Sequence, residues 1–428
     1  SGDLFEIVAQ GLGLPAGKIL HIGDNHLADV QRPRKKGMKA FHYRASHERK
    51  VSKTEYLATS IGFGLLRARG RDIQPGSFAE LGFVYGGTAT MGFLQWIKEQ
   101  AHRDGINHVL FLSRDGYALE RVARAQTDHG LPTFSYFLGS RTVFTLAAMT
   151  ADNFRQFIPF LLSGGIGLMP CELLERIGVP APSPKIMADL GLGEDVCVTP
   201  TLHDRLASFL FAYRWEILKI CQRNRRALFQ YIRQIGLKDG SRVALVDVGW
   251  SGTTQEAFEM AVKPRMDLDI FGYYFCLAGT PEQQRREQTQ RMLALVTAEN
   301  TSKETIAKIY TNRVIVELFF SAPHHSVIGL QPGPYGVEPV LDAGRGEIGE
   351  LSATAEKIVS GVESFAKHYD ELKKRLGLPL SPLQTVWPMI ELVTGEGGEF
   401  HELLGSVTNF DAWGSSRNHK LVLADYHS

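Results

Sequence analysis

Cysteine is scarce in this chain: 428 residues hold four, Cys171, Cys197, Cys221 and Cys276, none in a CxxC or CxxH spacing. That excludes a disulfide framework and a zinc site built on closely paired ligands, and it fits a reducing, cytoplasmic compartment. Charge of one sign is lacking too. A formal net charge of +1 provides no electrostatic footprint for nucleic acid. Long hydrophobic runs are missing: the longest, FIPFLLSGGIGLM from Phe157, is too short and too rich in glycine to span a bilayer. No stretch reads as a signal peptide, a repeat or a low-complexity tract. What remains is an ordinary globular composition, 44% apolar and 22% charged, at a length that suits two or three domains.

The pattern along the chain is one of strands alternating with helices. A helix is expected at 3–12, strands at 18–23 and 38–43 with a helix between them, then a basic connector to about 76 holding one helix. The first residues enter a helix with no strand before it, as expected of a piece of something longer. A long helix is expected over 78–103, followed by a buried strand at 108–113 (HVLFLS), a helix at 117–126 and a strand at 133–139. Residues 150–236 read as helices and loops. A strand at 242–248, a helix at 255–262 and a strand at 270–278 follow. An apolar element at 313–327 breaks at Pro323, residues 353–375 form a helix, and the last fifty residues read as helices and loops. The fold class is therefore α/β, with a mainly parallel, Rossmann-type sheet.

Three stretches carry groups suited to chemistry. The first is LVDVGWSGTT (245–254), where a buried strand runs into small residues and then a helix. Gly249 and Gly252 let the backbone curl, Ser251, Thr253 and Thr254 offer hydroxyls, and the helix N-terminus offers positive potential. This makes either a cradle for a phosphate or a plain structural turn. The second is FLSRDGY (111–117). At its turn Arg114 could grip a polyphosphate through paired charge-assisted hydrogen bonds, Asp115 could bind the accompanying metal, and Gly116 would allow close backbone approach. A solvated Asp-Gly turn is the alternative. The third is ILHIGDNHLADV, where Asp24 and Asp29 lie near the carboxyl end of a strand as two hard oxygen donors suited to Mg²⁺. Two isolated residues join them. Arg141 follows a strand end, where it either closes on a phosphate or pairs with a carboxylate. Glu317 sits inside an apolar run and needs either a partner, such as an arginine, or a task as a general base. His324 and His325 follow a proline and read as loop residues.

The GDNHLADV stretch resembles the fourth motif of haloacid-dehalogenase-like (HAD) phosphatases, and KKGMKAFHY matches its usual continuation. The nucleophilic aspartate and the lysine of that family have no counterpart here; the single DxD, Asp267-Leu-Asp269, stands ahead of a strand instead of after one. LVDVGWSGTT resembles the ribose-phosphate loop of type I phosphoribosyltransferases, and FLSRDGY the pyrophosphate loop of the same fold, in the order the fold requires. The resemblance implies that Ser251, Gly252, Thr253 and Thr254 hold a 5-phosphate. It also implies that Asp247 accepts from ribose hydroxyls or steadies an oxocarbenium charge, and that Arg114 and Asp115 face pyrophosphate and its Mg²⁺. The sequence departs from that family: Val248 replaces a second acid, Trp250 is bulky, the loop is a residue shorter, and a helical insertion separates the two loops. The order of motifs over most of residues 1–330 resembles HAD-linked modules of bacterial surface-polysaccharide glycosyltransferases.

What these resemblances imply is transfer of a 5-phosphoribosyl group from phosphoribosyl pyrophosphate (PRPP) to a glycan acceptor, with Mg²⁺ as cofactor. Partners would include a polysaccharide-assembly complex or upstream HAD or glycosyltransferase segments, with any membrane association peripheral. The implied layout is a HAD-like fragment at 1–45, a connector at 46–76, and a phosphoribosyltransferase-like domain at 77–335 with its insertion at 150–236. A helical region at 336–428 completes it. Two alternatives stay open: a phosphatase whose active motifs lie upstream, and a non-catalytic module that binds a phosphorylated sugar or serves as a scaffold.

Overall fold

The structure, a computed structural model, describes residues 3–43, 56–126, 130–342, 349–378, 380–395, 400–409 and 421–422. The chain divides into two units, Ser1–Lys53 and Thr54–Ser428. In the first, helix α1 (Asp3–Leu12) precedes strand β1 (Leu20–Gly23), a wide π-helical turn (His26–Gln31) that runs into helix α2 (Arg32–Lys35), and strand β2 (Lys39–His42). The two strands pair in parallel, as the βαβ pattern predicts. Asn25 starts the intervening helix by accepting from the Leu27 and Ala28 amides, which satisfies two of the donors a helix start leaves open.

The second unit opens with helix α3 (Leu57–Arg69), within the expected connector; residues 44–55 lie outside the described residues. The helix expected at 78–103 forms as α4 (Phe78–Leu81), a π-helical stretch (Gly82–Gly86) and α5 (Gly87–Arg103). Then come β3 (His108–Leu112), α6 (Tyr117–Ala125), β4 (Thr133–Phe137) and α7 (Arg141–Ala148). The insertion follows as α8 (Ile158–Leu162), α9 (Glu172–Glu175), α10 (Pro184–Asp189), α11 (His203–Ala212) and α12 (Arg214–Gln234). The chain returns to the sheet with β5 (Ser241–Asp247), α13 (Thr253–Val262), β6 (Leu268–Cys276), α14 (Pro281–Glu287) and β7 (Arg291–Val296). Beyond it lie α15 (Lys303–Thr311), α16 (Arg313–Phe320), the hairpin β8 (Val327–Gly333) and β9 (Gly336–Leu341), α17 (Gly349–Leu376), α18 (Pro382–Thr394) and α19 (His401–Gly405).

Five strands form one parallel sheet in the order β4-β3-β5-β6-β7. Its strands read as unbroken apolar runs because helices cover both faces. Alternate residues go to opposite layers. Val109, Phe111, Ala244 and Val246 join a core with α5, α6, α17 and α18, whereas Leu110, Leu112, Val243 and Leu245 join one with α7, α12, α13 and the insertion. The chain leaves β3 for β4 on one side and later returns to β5 on the other. In open sheets of this kind the crevice beyond the carboxyl ends of two such strands is where ligands bind.

The α/β class and the parallel sheet agree with the sequence pattern. Strand β7, helix α15 and the β8–β9 hairpin were not foreseen. The expected boundary at 335/336 falls inside that hairpin, and α17 and α18 share the core of the sheet. Close approach explains two glycines there: a Cβ on Gly82 would stand 2.2 Å from the Ile358 carbonyl, and one on Gly361 would stand 2.1 Å from that of Ala79. Among the described residues no helix is long and apolar enough to cross a membrane.

Candidate active site at the carboxyl edge of the sheet

Strand β3 ends in a tight turn closed by the Gly116 amide donating to the Leu112 carbonyl at 2.8 Å. Arg114 occupies this turn with φ of 73°. That left-handed backbone is uncommon for a bulky residue and costs free energy unless neighbours hold it. They do. The Arg114 amide donates to the Tyr136 hydroxyl at 2.9 Å, and its guanidinium donates to Ser326 Oγ at 3.0 Å. The Tyr136 hydroxyl in turn donates to His324 Nε2 at 2.6 Å, while His324 Nδ1 donates to the His325 carbonyl at 2.8 Å. The His324 Nδ1 thus carries a proton, and burial pushes the ring's pKa down. Arg114 Nε is buried without a hydrogen-bond partner among the described residues.

The same turn brings Asp115 against Asp247, the last residue of β5. The two carboxyls interact directly, each bearing on the other's ionisation, and the Val248 amide favours the charge of both. Burial pushes the Asp115 carboxyl well above the usual carboxylate range, and the neighbouring Asp247 adds to the shift against the opposing pull of Arg114. Burial also raises Asp247, to about 6, with the Glu317 charge acting in the same direction; the hydrogen bond from Asp115 and the amides of Val248 and Gly249 pull against it. Two carboxylates this close cannot both ionise readily, so the pair favours holding one proton between them. Glu317, on α16, accepts from the Trp250 indole N–H at 2.7 Å. Asp115 and Asp247 thus stand side by side, and Glu317 lies near enough for its charge to act on Asp247.

Beyond Asp247 the chain turns through a cis Gly249–Trp250 peptide bond and reaches α13 two residues earlier than the sequence suggests. Thr253 and Thr254 are its first two residues, and no side chain caps it. The hydroxyls of Ser251, Thr253 and Thr254 are half-buried and take part in no side-chain hydrogen bond among the described residues. Hydroxyls and helix-start amides together form the donor set that an oxyanion needs. Arg286, which sequence reasoning missed, steadies this turn: it donates to Glu256 at 2.6 Å and to the Ser251 carbonyl at 3.1 Å.

The glycines serve the chain as much as any ligand. A Cβ on Gly116 would stand 2.6 Å from Phe111, and one on Gly249 would stand 2.7 Å from the Cys276 carbonyl. Gly252 has φ of 75°, and a Cβ there would meet Met292 Cε at 2.4 Å. Gly116, expected to let a phosphate approach, is thus small chiefly because it packs on its own strand. Arg141 is the first residue of α7, half-buried and at the same edge of the sheet beyond β4.

Asp24 and Asp29 lie in the first unit. Asp29 accepts from His21 Nε2 at 3.0 Å through one oxygen and from the Asn25 amide at 2.9 Å through the other. These bonds, His21 first, hold its carboxyl below the usual range. A Cβ on Gly23 would stand 2.3 Å from the Asp29 carboxyl carbon, so this fold-back requires glycine. Asp24 contributes its backbone carbonyl to His42 at 2.8 Å. Among the described residues no group of three His, Cys, Asp or Glu side chains gathers as metal ligands. Asp269, of the single DxD, pairs with Arg242 at 3.0 Å and Arg291 at 2.5 Å.

Tyr136, Ser326 and His324 are the residues that sequence reasoning left aside. A tyrosine within a strand and a histidine after a proline stand far apart in sequence, and only the strand order brings them together. No protein-family model matches the chain, and no curated protein matches it.

Proposed function

We propose that the second unit transfers a phosphoribosyl group from PRPP to a hydroxyl acceptor, a glycan in the reading the sequence favours. The observation that carries this is the approach of Asp115 to Asp247, which brings the turn after β3 to the end of β5. A crevice at a strand-order reversal, with a cation on one side and an uncapped helix start on the other, suits a ligand charged at both ends.

In this reading the 251–254 turn takes the 5-phosphate, and the Arg114 guanidinium takes the leaving pyrophosphate. Asp115 and Asp247 fit Mg²⁺, being paired hard oxygens that gain charge once their shared proton leaves; the ion would neutralise charge on the leaving group. The acceptor oxygen bonds to the anomeric carbon as the bond to pyrophosphate breaks, and the acceptor proton passes to a carboxylate. Asp247, with a pKa of about 6, is suited to that task, and Glu317 adjoins it. Rate enhancement comes mainly from positioning and from donors fixed before the charge develops.

Titration calorimetry with PRPP and Mg²⁺ tests this. The unaltered chain binds, while Asp247→Ala and Thr253→Val weaken binding by about tenfold or more, the scale of a lost charge-assisted hydrogen bond. No PRPP binding together with hydrolysis of p-nitrophenyl phosphate would favour a phosphatase. Inactivity in both assays would leave a scaffold.

A further inference from the structure

Helix α12 carries Arg214, Lys219, Arg223, Arg225, Arg226 and Arg233 against a single acid, Glu216, in a chain whose net charge is only +1. Its buried face is firmly seated. Ile217, Cys221, Leu228 and Ile232 are in the core, and Asn224 donates to the Val143 carbonyl at 2.7 Å while accepting from the Leu330 amide at 2.8 Å. Its outer face is a straight line. Trp215, Lys219, Gln222, Arg226, Gln230 and Arg233 recur at helical spacing, every one exposed, with Arg223 beside them. Lys219 is paired with Glu216 at 2.7 Å; no ion pair joins Arg223, Arg226 or Arg233 among the described residues.

The line starts at an exposed aromatic ring, and a second lies in the neighbouring hairpin. Trp215 is 56% exposed at the start, and Tyr335, at the tip of the β8–β9 hairpin, is fully exposed. The hairpin tip adjoins the far end of the helix, since a Cβ on Gly336 would stand 3.0 Å from Gln234 Nε2. Around Trp215 the rings and cations alternate. Arg214 lies 4.9 Å from the Trp215 ring and 4.3 Å from that of Phe211, and Arg155 covers Phe211 at 4.0 Å.

We infer that this face of α12 docks on an anionic phospholipid surface. A helix of about 30 Å, basic along its exposed line and aromatic at its start, suits a flat anionic surface. Arginines meet the headgroup phosphates while tryptophan settles at headgroup depth. Single-stranded nucleic acid, the competing polyanion, is held by aromatic rings interleaved with the cations along a groove. Here the middle of the line has no ring.

Sedimentation of the full chain with vesicles tests the inference. The chain pellets with phosphatidylglycerol-containing vesicles and stays in solution with phosphatidylcholine alone. Each arginine near such a surface contributes about fivefold, so Arg223→Glu with Arg226→Glu lowers the partition coefficient more than tenfold. An equal change of charge at Lys374→Glu with Arg375→Glu leaves it within about twofold. Trp215→Ala weakens binding severalfold, and circular dichroism confirms that each variant is folded. Failure of the unaltered chain to pellet, or equal loss in both charge reversals, overturns the inference. Competition by soluble polyphosphate with no effect of Trp215→Ala also overturns it, in favour of a polyanion site.

Discussion

The aspartates of the two units show how far environment, rather than residue type, sets behaviour. Asp29 and Asp115 each stand just beyond a parallel strand, each beside a tight turn. Asp29 is solvated and receives two hydrogen bonds, so its charge is favoured. Asp115 is half-buried, and desolvation of its carboxyl together with the second carboxyl beside it opposes its charge. The first arrangement stabilises a small motif. The second holds a group in a state that folding alone disfavours, the usual mark of a site kept for chemistry.

The contrast breaks most visibly in the pH dependence of stability. For Asp115 and Asp247 the folded pKa lies above the unfolded value, so their contribution is fully present below about pH 4 and is lost as pH rises through 6 and beyond. Asp115→Asn, which keeps a donor for Asp247 and cannot ionise, removes the Asp115 share of that loss. Thermal and urea unfolding at pH 5 and pH 8 should show the variant gaining stability over the parent as pH rises. A variant less stable than the parent at pH 8 would show that the pair is not strained. A smaller effect is expected from Tyr136→Phe. It strands the Arg114 amide at its left-handed position and lowers stability by about 1–2 kcal/mol in urea unfolding, with weaker PRPP binding if Arg114 meets the donor. The smallest lies in the first unit. With His21→Leu the Asp29 carboxyl, followed by carbon-detected NMR, should titrate at higher pH than in the parent; an unchanged midpoint would remove His21 as the cause.

Much of the sheet was legible because strands buried on both faces leave continuous apolar runs, as HVLFL and VALVD do. β7 was missed because it begins with an arginine at the sheet's edge, where Arg291 serves Asp269 instead of the core. The hairpin was missed although PGPYG is rich in turn residues, since its strands hold few β-branched pairs. In the site, Asp115, Asp247 and Glu317 were each named for chemistry, from a turn, a strand end and a carboxylate in an apolar run. That the turns after β3 and β5 serve one pocket was expected only through resemblance, and the contact between Asp115 and Asp247 was not expected. The shared proton was not legible, because it depends on a carboxyl-to-carboxyl approach that only strand order creates. Tyr136 and His324 were invisible for the same reason.

The insertion leaves after α7 and comes back into β5, the strand on the far side of the one that carries Arg114 and Asp115. Both of its feet are therefore anchored by the sheet, and its last helix, α12, closes one face of the strands that carry both carboxyls. Replacement of the segment ahead of α12 is thus the change the sheet tolerates best, while loss of α12 would open the layer beneath Leu110 and Leu245.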